Sequence, residues 1–279
     1  MSSLSETAPA KINLALHVRA READGYHRLE TLFAFAADGD LLTATPSDTI
    51  SLTVTGPFAG ALAGEGDNLV LRAARALAEA HGVTAGAALV LDKRLPIASG
   101  IGGGSADAAA ALRLLARLWG ISVDERMMAI AAKLGADVPA CLLSRTCRGE
   151  GRGDRLEALL APELAGMPLL LVNPGIAVPT GPVFVAWDGV DRGPLAMAAP
   201  LAAAHAGRND LEPPAIAIAP VIGEVLALLG QQPGVQLARM SGSGATCFAL
   251  FDSIDARDSA AGAVAADHPG WWRLKTALL

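Results

Sequence analysis

The order of polar and apolar residues near the N-terminus is typical of extended strands. Residues 11–18, with the sequence KINLALHV, alternate between the two types, which predicts a strand with one buried face. The DGYH segment at 24–27 predicts a turn, and TLFAF at 31–35 predicts a second strand. A third alternating segment, ISLTVT at 50–55, predicts a strand that stops at the following Gly-Pro pair.

Helical spacing of apolar residues then mixes irregularly with strand patterns. Ser122 and Glu125 have S-x-x-E spacing, which predicts a capping box at the start of one helix. Helices are predicted at 68–81, 105–119, 122–134 and 216–229, and further strands at 87–92, 167–174 and 245–251. Because this order lacks a regular βαβ alternation, it predicts an α+β fold with two lobes. We place an N-terminal domain at 1–155 and a C-terminal domain at 156–279.

The composition provides ample apolar material for a buried core and excludes several classes of protein. Of the 279 residues, 52% are hydrophobic and 18% are charged, which excludes an intrinsically disordered chain. The mean hydropathy is +0.40, yet charged residues or prolines interrupt the apolar stretches before they reach the roughly 20 residues of a membrane-spanning helix. The N-terminus also lacks the pattern of a signal peptide. We therefore expect no membrane interaction and a cytoplasmic location.

Net charge and cysteine spacing exclude further classes. The formal charge is −6 without a long run of either sign, so we expect no nucleic-acid partner, and nothing indicates an obligate protein partner. Cys141, Cys147 and Cys247 are an odd number without C-x-x-C spacing, which argues against a disulfide scaffold and a zinc site. Any anionic ligand must then be held by local groups and not by the overall field.

A glycine-rich segment at 96–110, PIASGIGGGSADAAA, is the strongest candidate for such a local site. It lies between a predicted strand and a predicted helix, so its backbone N–H groups and the helix N-terminus could hold phosphates without a lysine. The alternative is a flexible turn whose glycines only connect the two elements. The segment is not a Walker A loop, since no lysine follows the glycines, and it also lacks the dinucleotide G-x-G-x-x-G and the hydrolase G-x-S-x-G patterns.

This segment resembles the ATP-binding loop of the GHMP kinase superfamily, which includes galactokinase, homoserine kinase and mevalonate kinase. PAKINL at 9–14 is similar to the first motif of that superfamily, and MSGSGATCFALF at 240–251 is similar to its third. DGYHRLETLF at 24–33 resembles the signature of one member family, a kinase of non-mevalonate isoprenoid biosynthesis whose substrate is a cytidine-diphosphate-linked polyol. GADVP at 135–139 is similar to the catalytic aspartate segment of that member family.

The resemblance implies a two-lobed GHMP kinase fold and an ATP-dependent transfer of phosphate to a hydroxyl group, with Mg²⁺ accompanying ATP. It implies Asp137 as the base, Lys11 as its partner, a hydrogen bond between Asn13 and the substrate, and a contact of Thr180 with the pyrophosphate or the alcohol. Tyr26 and Phe184 would stack on the cytosine, and His27 would hydrogen-bond it. ATP binding is assigned to Pro96, Ile97, Ala98, Ser99, Gly100, Ile101, Gly102, Gly103, Gly104, Ser105, Ala106 and Asn68.

Each of these residues also has an ordinary structural interpretation. Asp137 has the position of a helix N-cap, as does Asn68, and Lys11 could be a solvated lysine on a strand. Tyr26 could be a surface turn residue and Phe184 a core residue. Lys93 and Arg94, just before the loop, are weaker candidates for ATP contacts, and no metal ligands can be recognised.

The loop departs from the family pattern at Asp107, where asparagine is common. The extra carboxylate could weaken ATP binding or help to hold the metal. Two other functions remain open: another GHMP kinase of the homoserine or mevalonate type, and a non-catalytic nucleotide-binding regulator with the same fold. The Tyr26–His27 turn argues against the first, and the retention of both Lys11 and Asp137 argues against the second.

Overall fold

The computed structural model describes residues 3–62, 68–122 and 124–279. They form two compact units, each built from several segments of the chain. The first unit takes its described residues from 3–10, 38–97 and 102–144, and the second from 11–37, 98–101 and 145–279. Two long strands, β1 (Leu4–Arg21) and β2 (His27–Ser47), contribute residues to both units.

In the first unit, three strand segments pair and helices pack around a long alanine-rich helix. Residues 41–47 of β2 pair antiparallel with β4 (Gly86–Asp92), and β3 (Ile50–Thr55) pairs parallel with β4. The small side chains of residues 108–111 are fully buried and allow neighbouring helices to approach closely. The helices are α1 (Leu69–His81), α2 (Gly103–Trp119), α3 (Glu125–Leu134) and α4 (Val138–Leu143).

The second unit contains a short strand ladder and an antiparallel sheet. Residues 29–33 of β2 pair with β5 (Cys147–Gly151), which pairs with β6 (Arg155–Ala158). The antiparallel sheet has the order β10-β7-β9-β8, and β7 and β9 are almost wholly buried. Its strands are β7 (Pro168–Asn173), β8 (Val235–Met240), β9 (Cys247–Phe251) and β10 (Trp272–Ala277).

Four of the five helices in the described part of this unit contribute buried side chains to one hydrophobic core. The core includes buried side chains from β7, β9 and the helices, such as Val172, Phe251 and Val225. The helices are α5 (Thr180–Val185), α6 (Pro200–Ala206), α7 (Glu212–Ile218), α8 (Val221–Gly230) and α9 (Ile254–Asp267). Among the residues that the structure describes, no helix combines the length and apolar character that crossing a membrane requires.

The α+β prediction is confirmed, and β3 has the predicted bounds 50–55. Two local predictions are wrong. Asp124, and not Ser122, is the N-cap of α3, since its side chain accepts hydrogen bonds from the N–H groups of Arg126 and Met127. The helix predicted at 216–229 is two helices, because Pro220 has no N–H to donate and disfavours helical backbone at Ala219, where φ is −139°. The domain boundary at 155/156 stays a prediction.

Candidate active site

Three of the sequence motifs meet at Ser241 in the second unit. The Ser241 Oγ donates to the carbonyl of Gly100 at 3.0 Å and accepts from the N–H of Asn13 at 3.1 Å. Gly100 has φ +77°, and a Cβ there would lie 2.3 Å from the carbonyl oxygen of Ser241. Only glycine fits this close approach. The first strand, the glycine loop and the third motif therefore form one connected structure.

The side-chain amide of Asn13 donates a hydrogen bond through its nitrogen, while its oxygen is buried without a partner in the described part of the chain. Its Nδ2 donates to the Thr31 Oγ1 at 2.8 Å, and that hydroxyl donates to the carbonyl of Ala15 at 2.7 Å. The orientation of the amide is fixed, because the Thr31 hydrogen is already used. The Asn13 Oδ1 is buried and has no hydrogen-bond partner within the part of the chain that the structure describes. A buried acceptor of this kind fits a hydroxyl donor on a substrate.

Lys11 is buried and is not a solvated strand lysine. Its side chain belongs to a residue only 4% exposed, and its Nζ lies 4.9 Å from the centre of the Phe33 ring. The backbone N–H of Lys11 donates to the carbonyl of Ile101 in the glycine loop at 3.0 Å. A cation over an aromatic face is attracted electrostatically by the ring. Lys11 thus lies against the Phe33 ring and next to the loop backbone.

In the first unit, helix α2 begins two residues earlier than the sequence pattern predicts. Gly102 is the N-cap residue, and the N–H of Ala106 is the one that donates to its carbonyl, at 2.8 Å. The N–H groups of Gly103, Gly104 and Ser105 lie in the first turn, where no earlier helical carbonyl can accept them. These three donors and the positive end of the helix dipole form a site suited to an anion.

Asp137 occupies the N-cap position of α4, but its side chain makes no capping hydrogen bond. The capping alternative is therefore not how its carboxylate is used. Its residue is partly exposed, whereas the following Val138, Pro139 and Ala140 are buried. Asp137 belongs to the first unit and Lys11 to the second, and the catalytic roles of both stay predictions.

The DGYH turn places Tyr26 on the surface next to Arg152. The Arg152 guanidinium lies 3.6 Å from the centre of the Tyr26 ring and forms an ion pair with Asp24. Asp24 also accepts from the N–H of Tyr26 at 3.1 Å. Tyr26 is 57% exposed, although one face of its ring is covered by the guanidinium. Sequence analysis missed Arg152, because 126 residues separate it from Tyr26 along the chain.

His27 lies in an aromatic cluster with Phe184 and Trp187. Its ring centre is 5.1 Å from that of Phe184 and 5.7 Å from that of Trp187, which it meets edge-on. Burial, and then the nearby Arg21 charge, lower the pKa of His27. Phe184 is half-buried against the hydrophobic core, so the core interpretation is correct for part of its surface. Trp187 was missed, although its position three residues after Phe184 is a helical spacing.

The remaining predicted residues have varied surroundings. Asn68 is the N-cap of α1, since its Oδ1 accepts from the N–H of Val70 at 2.8 Å. Thr180 is exposed at the start of α5, and its hydroxyl is 3.0 Å from that of Ser243 in the third motif. The side chain of Lys93 is buried in ion pairs, and that of Arg94 pairs with Asp92, so neither points freely from the loop.

Comparison with known proteins shows the family of this chain. A family model described as GHMP kinases N terminal domain matches residues 68–145, and one described as GHMP kinases C terminal matches residues 189–269. The chain belongs to the GHMP kinase family. The predicted fold and the resemblance of the chain to GHMP kinases are thereby confirmed.

Relatives of this GHMP kinase are similar over nearly their whole length. A 4-diphosphocytidyl-2-C-methyl-D-erythritol kinase from Rhizorhabdus wittichii is 64% identical over 98% of this chain and 94% of its own. The protein of the same name from Novosphingobium aromaticivorans is 55% identical over 99% and 93%.

Solved structures show the same similarity. A crystal structure of 4-(cytidine 5'-diphospho)-2C-methyl-D-erythritol kinase has 37% identity and a TM-score of 0.83, and the match covers 99% of each chain. A homoserine kinase from Cytophaga hutchinsonii has 19% identity and a TM-score of 0.74, covering 100% of this chain and 95% of its own. The second likeness shows the fold alone.

Proposed function

We propose that this GHMP kinase transfers the γ-phosphoryl group of ATP to the 2-hydroxyl of 4-diphosphocytidyl-2-C-methyl-D-erythritol. The products are the 2-phosphate and ADP, in the non-mevalonate synthesis of isoprenoid precursors. The observation that carries this proposal is the 64% identity, over 98% of the chain, to a relative of that name. The aromatic residues around the DGYH turn support it, since they offer a surface for a base that homoserine and mevalonate do not have.

In this proposal the phosphates of ATP bind at the start of α2. The N–H groups of Gly103, Gly104 and Ser105 and the dipole of α2 face the negative charge, and residues 96–102 lead the chain into that turn. Asn68, which already caps α1, contributes near the adenine or ribose. ATP enters as its Mg²⁺ complex, in which the ion neutralises charge on the transferred phosphate. The described residues contain no group of three or more metal-binding side chains, and we assign the ion no protein ligand.

Asp137 is the proposed base. Its carboxylate, which makes no capping bond, accepts the proton of the substrate hydroxyl as the new O–P bond forms and the bond from phosphorus to ADP breaks. As the proposed partner of Asp137, Lys11 supplies positive charge that stabilises negative charge on the attacking oxygen. Both roles fit the chemistry of the side chains, because a carboxylate accepts a proton and a buried ammonium group cannot be screened by water.

The cytidine end of the substrate binds against residues of the second unit. The Tyr26 face opposite Arg152 stacks on one side of the cytosine, Phe184 contacts the other, and the neutral ring of His27 hydrogen-bonds the base. The Asn13 Oδ1 accepts from a hydroxyl of the polyol. Thr180 contacts the pyrophosphate or the alcohol.

We place this enzyme in the cytoplasm. Cys141, Cys147 and Cys247 are all buried as free thiols, which suits a reducing compartment.

A coupled assay of ADP release tests the proposed substrate. The purified chain is supplied with MgATP and, in separate reactions, the cytidyl substrate, homoserine and mevalonate. We expect turnover with the cytidyl substrate at a kcat/KM at least about 10³-fold above the other two, since they leave the base pocket empty. Faster turnover of homoserine or mevalonate would overturn the proposed substrate, and ATP binding without any turnover would indicate a regulator.

A further inference from the structure

Three charged side chains form a buried cluster in the first unit, beneath the start of α2. The Lys93 Nζ donates to the Asp40 Oδ2 and to the Asp107 Oδ2, both at 2.6 Å. The exposed fractions of the three residues are 2%, 0% and 3%. We call Asp40, Lys93 and Asp107 the ion cluster. The catalytic chemistry described above makes no use of it.

The ion cluster connects the segment before the glycine loop to the helix after it. The Asp40 Oδ1 accepts from the N–H groups of Arg94 and Leu95, at 2.6 and 2.8 Å. Asp107 lies in α2, four residues after Gly103. A Cβ on Gly103 would lie 3.1 Å from the Lys93 Nζ and 3.9 Å from the Asp40 Oδ2. The first turn of α2 therefore rests directly on these charges.

The two carboxylates are not equivalent. Asp40 accepts three hydrogen bonds, whereas the Asp107 Oδ1 is buried and has no partner within the described residues. Burial, together with the Asp40 charge, raises the pKa of Asp107 to about 8 against the opposing effect of Lys93. Near neutral pH Asp107 therefore keeps its proton, and Lys93 donates to a neutral carboxyl group.

In the described part of the chain, the charged side chains of the packed helices are exposed or lie at helix ends, whereas Asp107 is buried. The charged side chains of α1 (Arg72, Arg75 and Glu79) are exposed, those of α3 are also exposed or at its ends, and α4 has none in its described residues. On α2 itself, Arg113 and Arg117 pair with Glu6. The ion cluster is therefore the dominant source of charge under the helix start.

We propose that Lys93 and Asp107 are positioning residues for ATP: they fix the first turn of α2 and set the charge beneath the bound phosphates. The inference rests on the proposed binding of ATP at this turn. While Asp107 is neutral, the bound phosphates interact mainly with the N–H groups of Gly103 to Ser105. Ionisation of Asp107 adds one negative charge there and repels them. Asp107 acts through the first turn of α2, to which it belongs.

The KM for ATP of the Asp107→Asn variant, divided by that of the parent, isolates the effect of the Asp107 charge. Asp107→Asn keeps the shape of the side chain and the acceptor oxygen for Lys93, but the amide cannot ionise. At pH 7 the KM for ATP should be within about twofold of the parent. At pH 9 the KM for ATP of the variant should be about tenfold lower than that of the parent. A change of this size is expected when one charge repels the phosphates across a partly screened distance. The KM for the cytidyl substrate and kcat should change by less than about twofold at either pH.

A matched control separates positioning from stability. Leu115 is fully buried on the same helix, so Leu115→Ala should lower the melting temperature without changing the pH dependence of the KM for ATP. If Asp107→Asn and the parent respond equally to pH, or if Leu115→Ala alters the pH dependence as Asp107→Asn does, the proposal is wrong. If Asp107→Asn fails to fold, direct titration of the parent with MgATP between pH 7 and 9 decides, and an affinity independent of pH contradicts the proposal.

Failure of this inference can be told from failure of the proposed ATP site. Gly104→Val places a branched side chain in the first turn without approaching the ion cluster. If that variant leaves the KM for ATP unchanged, the phosphates bind elsewhere. If it raises that KM while Asp107→Asn shows the pH response of the parent, only the role of the ion cluster is rejected.

Discussion

At the scale of single residues, the structure bears on one of the two roles that the sequence left equal for Asp137. The residue occupies an N-cap position, yet its side chain makes no capping bond, and its role as the base stays a prediction. The sequence alone could not decide this, because both roles need the same residue type at the same place. The orientation of the side chain is a tertiary property.

We expect Asp137→Asn to lower kcat by about 10²–10⁴-fold, the usual contribution of a general base. Amide and carboxylate have nearly the same shape, so equilibrium binding of ATP and of the cytidyl substrate should stay within about threefold of the parent. Turnover and binding are measured separately. A kcat within about tenfold of the parent would show that another group accepts the proton.

Tyr26 gives a second prediction at this scale. Tyr26→Ala should weaken the cytidyl substrate by about 1–3 kcal/mol, the usual value of base–aromatic stacking, whereas ATP binding should hardly change. Tyr26→Phe keeps the ring that Arg152 covers and should be mild. Isothermal titration of both variants makes the comparison. Unchanged affinity in Tyr26→Ala would leave Tyr26 as a surface residue of the turn.

The residues that sequence analysis missed share one property. Asp40, Arg152 and Trp187 have no motif of their own, and the first two reach their partners across more than 50 positions of the chain. Lys11, Asn13 and the glycine loop were recognised because their motifs are local. The contacts of Asn13 and of the glycine loop with Ser241 are the part that only the folded structure supplies.

At the scale of elements, the start of α2 determines which glycine is the better test of phosphate binding. A side chain at Gly103 would press on Lys93, whereas a Cβ at Gly104 would make ordinary contact with Leu69 at 3.5 Å. Gly104→Val should therefore fold and raise the KM for ATP about tenfold or more, with little change for the cytidyl substrate. Thermal melts provide the folding control. Equal increases in both KM values would mean that the glycine serves the fold.

A hydrogen bond from His17 to the segment 186–199, between α5 and α6, predicts how the stability of the fold depends on pH. The His17 Nδ1 donates to the carbonyl of Gly193 at 3.1 Å, and its Nε2 accepts from the N–H of Arg208 at 3.2 Å, which requires a neutral ring. Burial, and then the Arg208 charge, lower the pKa of His17 below its ordinary 6.5. The unfolded chain thus binds a proton more readily, so this part of the stability is present above pH 6.5 and is lost as pH falls.

Urea unfolding at pH 7.5 and 5.5 measures this loss. We expect the parent to lose free energy of unfolding on acidification, and His17→Gln to lose less, because glutamine does not titrate. His27, whose pKa is also lowered, keeps some of the pH dependence in the variant. An equal loss in both proteins would assign the acid sensitivity to groups other than His17.

At the scale of the whole molecule, the fold class and most element positions follow from the sequence, because strand and helix periods are local signals. The composition of the two units does not follow, since β1 and β2 each contribute residues to both. A single boundary along the chain, such as 155/156, cannot describe units that are each built from several separate segments. Pro220 itself indicates a helix break, but the helical pattern of apolar residues on both sides of it predicts one continuous helix.

The most direct test of the whole account is the chemical identity of the product. After reaction with MgATP and the cytidyl substrate, ³¹P NMR should show one new phosphomonoester on the 2-hydroxyl for each ADP formed, with the substrate pyrophosphate intact. Release of inorganic phosphate alone, or a phosphate on a different hydroxyl, would contradict the account.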